Sequence, residues 1–117
     1  MVLDNLDFTA AKIAFEMVEQ SKDKINVESL INKSLGILSA NGIYALWLFL
    51  ESESGGKNIK IVEIIERFDD ELDGSNDEEK VINLSNNLQK LIFSKELLEK
   101  TFIYARYRAK AITQKGD

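Results

Sequence analysis

No proline interrupts this chain of 117 residues, and that absence constrains the fold more than any other feature. Proline breaks a helix interior because its ring clashes with the carbonyl one turn back and it has no N–H to donate. A chain without it is free to run long, uninterrupted helices. Glycine is then the strong breaker, at positions 36, 42, 55, 56, 74 and 116, and four of these divide the chain into pieces with helical periodicity.

The first piece predicts a helix over about 5–20. Leu6, Ala10, Ile13, Ala14, Met17 and Val18 recur at spacings of three and four, and Asp4 is placed to cap it. A second helix is expected over 27–40, with Asn26 as its cap and Leu30, Ile31, Leu35 and Leu38 as its stripe. Asn41-Gly42 ends it, with glycine supplying the positive φ. A third helix, 43–53, closes at Gly55-Gly56; its IYALWLFL run is apolar on every side, which predicts a place at the centre of the bundle with Trp47 in the core. The aromatic content of that run also suits a strand, but Ala45, Leu46 and Leu48 and the tight Asn-Gly entry favour helix. A fourth helix over 59–68, capped by Asn58, competes with strand because IKIVEII is rich in β-branched residues. Ser75 and Glu78 have capping-box spacing and open a fifth helix, 76–93, with Val81, Leu84, Leu88, Leu91 and Ile92 facing inward. Ser94 then caps a sixth, 95–114. The expected fold is all-α: a compact bundle of five or six helices in a single domain spanning 1–117.

Composition narrows the chemistry. The chain has no His and no Cys. It therefore has no imidazole base, no thiolate nucleophile, no disulfide and no usual zinc site, and no enzyme activity or cofactor is expected. The first 20 residues carry four acids and do not read as a secretory signal, and the longest apolar run, 43–50, is far short of a membrane span. A cytoplasmic protein with no membrane partner and no small-molecule substrate is expected.

Charge is unevenly distributed. The 20 acids and 15 bases give a net charge of −5, which argues against binding nucleic acid through a uniform basic field. Residues 51–94 hold eleven acids and five bases, whereas residues 95–117 hold three acids and six bases. The acidic stretch 69–80 has some calcium-loop spacing, with Asp69, Glu71, Asp73, Gly74 and Asp77 at positions 1, 3, 5, 6 and 9. Lys80 stands where the bidentate Glu is needed, so a solvated acidic loop (about 69–79) at a helix N-terminus is the simpler reading, and no metal site is expected. The same carboxylates offer no evident cleft to split their pKa values for acid–base work.

The basic C-terminal helix is the stronger signal. Leu98, Phe102, Ala105, Ala109 and Ile112 form its buried stripe, which leaves Lys100, Ile103, Tyr107 and Lys110 on the opposite side and Arg106 and Arg108 at the edges. Aromatic side chains among cations can stack on bases and meet phosphates. They also suit protein interfaces. Lys100, Arg106, Arg108 and Lys110 are the candidate nucleic-acid contacts, and Ile103 and Tyr107 the candidate interface; a further helix of the same bundle could also cover Ile103, Tyr104 and Tyr107.

Three segments carry a resemblance: FTAAKIAFEMVEQ (8–20), SLGILSANGIYALWLFLESESG (34–55) and LLEKTFIYARYRAKAI (97–112). Together they resemble the small all-helical subunit of type III-B CRISPR effector complexes, the Cmr small subunit, or its equivalent in a related CRISPR type. The resemblance implies a non-catalytic building block in antiviral defence. Copies would stack on one another beside other effector subunits and help contain the guide RNA and target strand, with the four cations named above as the RNA contacts. The alternative is a helical protein–protein adaptor with no nucleic-acid contact.

Overall fold

The longest element is also the one along which two of the other helices lie. In the computed structural model, which describes residues 6–21, 24–53, 59–67 and 72–115, six α-helices follow one another. They are α1 (Leu6–Gln20), α2 (Lys24–Asn41), α3 (Ile43–Ser52), α4 (Ile61–Glu66), α5 (Asp77–Asn83) and α6 (Leu88–Lys115), with one 3-10 turn, Leu84–Asn86, between the last two. No strand occurs among the described residues, and the all-α bundle is as expected. At 28 residues α6 is about 42 Å long. The longest dimension of the molecule is 46 Å.

Helices α1 and α2 both lie along α6 and barely touch each other. The contacts between α1 and α6 climb both helices in the same sense: Asp7 meets Lys100 and Tyr104, and Glu19 meets Arg108. These two helices therefore run parallel. The stripe predicted for α6 is correct. Leu98, Phe102, Ala105 and Ala109 are wholly buried, and Ile112 packs partly against the core. The two alanines matter because a methyl group lets neighbouring backbones approach closely. Ile13, Ala14 and Val18 of α1, Ile31 and Leu38 of α2, and Ile61 and Ile65 of α4 complete the same core.

The central place expected for α3 belongs to α6. Only Ile43, Leu46 and Leu50 of α3 are buried; Tyr44 and Leu48 face solvent. Trp47 is only partly buried against the core. A ten-residue helix that packs mainly on α2 and α5 has one side free, whatever its side chains.

Gly42 joins α2 to α3 and serves both ends. Its N–H donates to Leu38 O at 3.1 Å, and its carbonyl accepts from Leu46 N at 3.1 Å. Its φ of 93° with ψ of −174° lies in a region open to glycine alone, so the positive φ expected there is present, in an extended rather than left-handed helical form.

Several predicted ends shift. Asn26 lies inside α2, which begins at Lys24. Helix α4 is the predicted fourth helix in shortened form. The cap of α5 is Asn76, not Ser75: Asn76 is extended and its Oδ1 accepts from Glu79 N at 2.9 Å. Glu79 reaches back to accept from the backbone N–H and the hydroxyl of Ser75, which lowers its pKa. The box is thus displaced by one residue. The largest shift concerns Ser94, which is buried inside α6 and caps nothing. Asn87 is the cap, with its Oδ1 accepting from Lys90 N at 3.1 Å. Six residues assigned to the fifth helix therefore belong to α6, with the 3-10 turn separating them from Val81. Leu88 and Ile92, expected to face inward, are 68% and 57% exposed. Asp4, Gly55, Gly56, Asn58, Phe68, Asp69 and Glu71, each part of a prediction above, lie outside the described residues.

Candidate functional site

The four cations proposed on the last helix do not share one face. An α-helix turns 100° per residue, which puts Lys100 and Arg108 on the edge facing α1 and Arg106 and Lys110 on the outer face.

The inner pair is occupied. Lys100 Nζ lies 2.6 Å from Asp7 Oδ1, and the Tyr104 hydroxyl donates to the same oxygen at 3.1 Å. The hydrogen bond from Lys100, then that from Tyr104, hold the Asp7 carboxyl below its ordinary value, and Asp7 in turn raises the pKa of Lys100. One end of Arg108 is 2.7 Å from Glu19 Oε2, its guanidinium lies 4.4 Å from the centre of the Phe15 ring, and its Nε is buried without a hydrogen-bond partner. These contacts tie the first described helix to the last. They leave little uncompensated positive charge along that edge.

The outer pair makes no ion pair with a described carboxylate. Arg106 lies over the ring of Tyr107, 5.1 Å from its centre, and Lys110 is one turn on. Tyr107 is 59% exposed and Ile103 37% exposed. Neither is covered by another described helix, so the covered alternative does not hold for them; Tyr104, by contrast, packs partly against the core. Ile103, Arg106, Tyr107 and Lys110 thus form one continuous cationic and aromatic strip. The same face continues toward the start of α6 through Glu99, Glu96, Ile92 and Leu88.

Two features escaped the sequence reading. Ile92 and Leu88 were hidden by the misplaced helix boundary. On α1, Phe8 and Phe15 both face solvent. Their seven-residue spacing, off the Ala10–Ile13–Ala14–Met17 stripe, was the available signal.

The acidic region is structural where it is described. The Asp73 carbonyl accepts from Asn83 Nδ2 at 2.9 Å, and Lys80 bridges to Glu66 at 2.8 Å, which raises the lysine pKa. Glu78 accepts from the Tyr44 hydroxyl at 2.9 Å and raises its pKa, tying α5 to α3. Among the described residues no three carboxylates converge on a metal position. No described helix is long and apolar enough to cross a membrane. Compared with known protein families, curated proteins and solved structures, this chain matches none.

Proposed function

We propose that this chain is a non-catalytic structural subunit of an RNA-guided CRISPR effector, of the Cmr small-subunit kind or its equivalent in a related type. It contacts guide or target RNA through the outer strip of α6. The observation that carries the RNA contact is the exposed Tyr107 ring with Arg106 stacked on it and Lys110 beside it, neither cation being neutralised by a described carboxylate. An open π-face stacks on a base of any sequence, and the two cations meet the flanking phosphates. The resemblance supports the assignment to an effector, and its three segments fall on α1, on the α2–α3 hairpin and on α6. The lack of His and Cys agrees with a subunit that holds a strand and leaves cutting to others.

The test is RNA binding by fluorescence anisotropy, using a labelled single-stranded RNA at two salt concentrations. The parent chain is expected to bind weakly and to lose affinity as salt rises. Arg106→Glu with Lys110→Glu should weaken binding by at least about tenfold and lower the salt slope by about 0.7 per lost phosphate contact. Helical circular dichroism should be unchanged. Lys100→Glu with Arg108→Glu should weaken binding less, because Asp7 and Glu19 already neutralise those groups. If the outer double reversal binds RNA as the parent does, the site is wrong.

A second reading, the adaptor without nucleic-acid contact, is favoured by Leu88 and Ile92, which expose apolar surface on the same face. Co-purification with protein alone, unaffected by nuclease and salt, would support it over the first.

A further inference from the structure

The outer face of α6 carries a charge pattern that is complementary to itself when reversed. Along it lie Glu96, Glu99, Ile103, Arg106 with Tyr107, and Lys110, at helical spacings of three and four. Their orientations fall within about 100° of arc. Each is exposed or half-buried, and none of the four charged groups forms an ion pair within 4 Å with a described residue, although the Glu96 charge is near enough to Lys100 to help raise the lysine pKa. The acids lie on one side of Ile103 and the cations on the other. Glu96 and Lys110 stand at equal distances from it, each about 10.5 Å along the axis.

We propose that this face pairs with the same face of a second copy, antiparallel, on a two-fold axis through Ile103. Rotation about that axis brings Ile103 onto Ile103 of the other copy. It sets Glu96 opposite Lys110, and Glu99 opposite Arg106 and Tyr107. Each charged contact occurs twice, as an isologous interface requires. The apolar centre removes Ile103 and part of Tyr107 from water, and the flanking charges fix register and direction, as charged positions do at a helix–helix seam. A parallel pairing in register would set Glu96 on Glu96 and Lys110 on Lys110, so the pattern selects the antiparallel arrangement. Extending the seam toward Ile92 brings that exposed side chain to its edge. Self-pairing does not depend on the RNA reading, although Arg106 and Lys110 serve in both, and RNA would compete for the face.

Sedimentation equilibrium of the full chain tests this. The parent is expected to show a concentration-dependent monomer–dimer equilibrium. Glu96→Arg with Glu99→Arg makes the face wholly basic, and Arg106→Glu with Lys110→Glu makes it wholly acidic. Each variant alone should be monomeric, and an equimolar mixture should form a heterodimer. Circular dichroism and the urea midpoint establish that both are folded; Ile103→Lys, at the axis, is a further variant expected to be monomeric. Because the chain has no cysteine, single-cysteine variants report geometry directly. Ile103→Cys should form disulfide dimers on mild oxidation. Glu96→Cys should not, because its two copies would be about 21 Å apart, yet it should cross-link with Lys110→Cys in a mixture.

A parent chain that stays monomeric at every concentration overturns the proposal. So do charge variants that dimerise like the parent, or a Glu96→Cys chain that cross-links with itself as readily as Ile103→Cys. Its failure is distinguishable from failure of the RNA reading: Glu96→Arg with Glu99→Arg should abolish dimerisation while retaining RNA binding.

Discussion

Helices α3 and α6 use apolar side chains in opposite ways. Helix α3 is almost wholly apolar along 43–50, yet it sits at the margin with Tyr44 and Leu48 in solvent. Helix α6 is mixed in composition and carries six of the chain's fifteen cations within 95–115, yet two other helices lie along it. What places a helix at the centre is length and a narrow, well-shaped stripe. Phe102 fills the space between neighbours, and Ala105 and Ala109 let them close in. Being apolar on every side does not give a ten-residue helix neighbours on every side.

The sharpest way to break this comparison is Phe102→Ala. The ring is wholly buried at the middle of the spine, so the substitution should cost about 3–5 kcal/mol, read as a fall in the urea midpoint. A cost below about 1 kcal/mol would mean that α6 is not the centre of the core. On the other side of the comparison, Leu48→Ala removes a larger apolar group than many core changes do, but from a solvent-facing position. It should change stability by less than about 0.5 kcal/mol. A loss as large as that for Phe102→Ala would show that the outer side of α3 is covered.

The smallest expected effect concerns the ties between α1 and α6. The folded-state pKa of Asp7 is depressed, by the hydrogen bond from Lys100 first and that from Tyr104 second. The stability it contributes is therefore present above the ordinary aspartate value of 3.8 and is lost as pH falls through the lower folded value. In urea titrations, Asp7→Asn should be less stable than the parent near neutrality and approach it in strong acid. The gap should also narrow with added salt, since both partners are solvent-exposed. A gap that widens on acidification would contradict the geometry.

Much of this was legible in the sequence for a physical reason. The period of apolar residues records which side of a helix is dry, so the stripes of α1, α2 and α6 read correctly. The missing prolines left α6 free to run unbroken for 28 residues, although α4 and α5 span only six and seven. Two kinds of information were not available locally. Periodicity within one helix does not state which helix others will pack upon, and so the apolar density of α3 does not report its place in the bundle. Cap chemistry is also degenerate. Ser94 and Asn87 can both cap the start of a helix, and nothing in their immediate neighbourhood chooses between them. That one boundary moved Leu88 and Ile92 from the core to the surface. In the site, the sequence placed four cations on the last helix but could not show that Asp7 and Glu19, about 90 residues away, pair with two of them.

Those long-range ties have a consequence for how the chain is made. The hydrogen bonds from Tyr104 to Asp7 and from Arg108 to Glu19 span separations of 97 and 89 residues. Closing such loops carries an entropic cost that is offset only when the whole seam forms, and non-local contacts of this kind slow folding. Of the helices described, the one on which α1 and α2 rest leaves the ribosome last. During synthesis α1, and the side of α2 that rests on α6, therefore wait uncovered. Completion of α6 should trigger collapse in a single late step, so that a nascent chain halted before residue 100 remains open to proteases and to chaperones that bind exposed apolar segments.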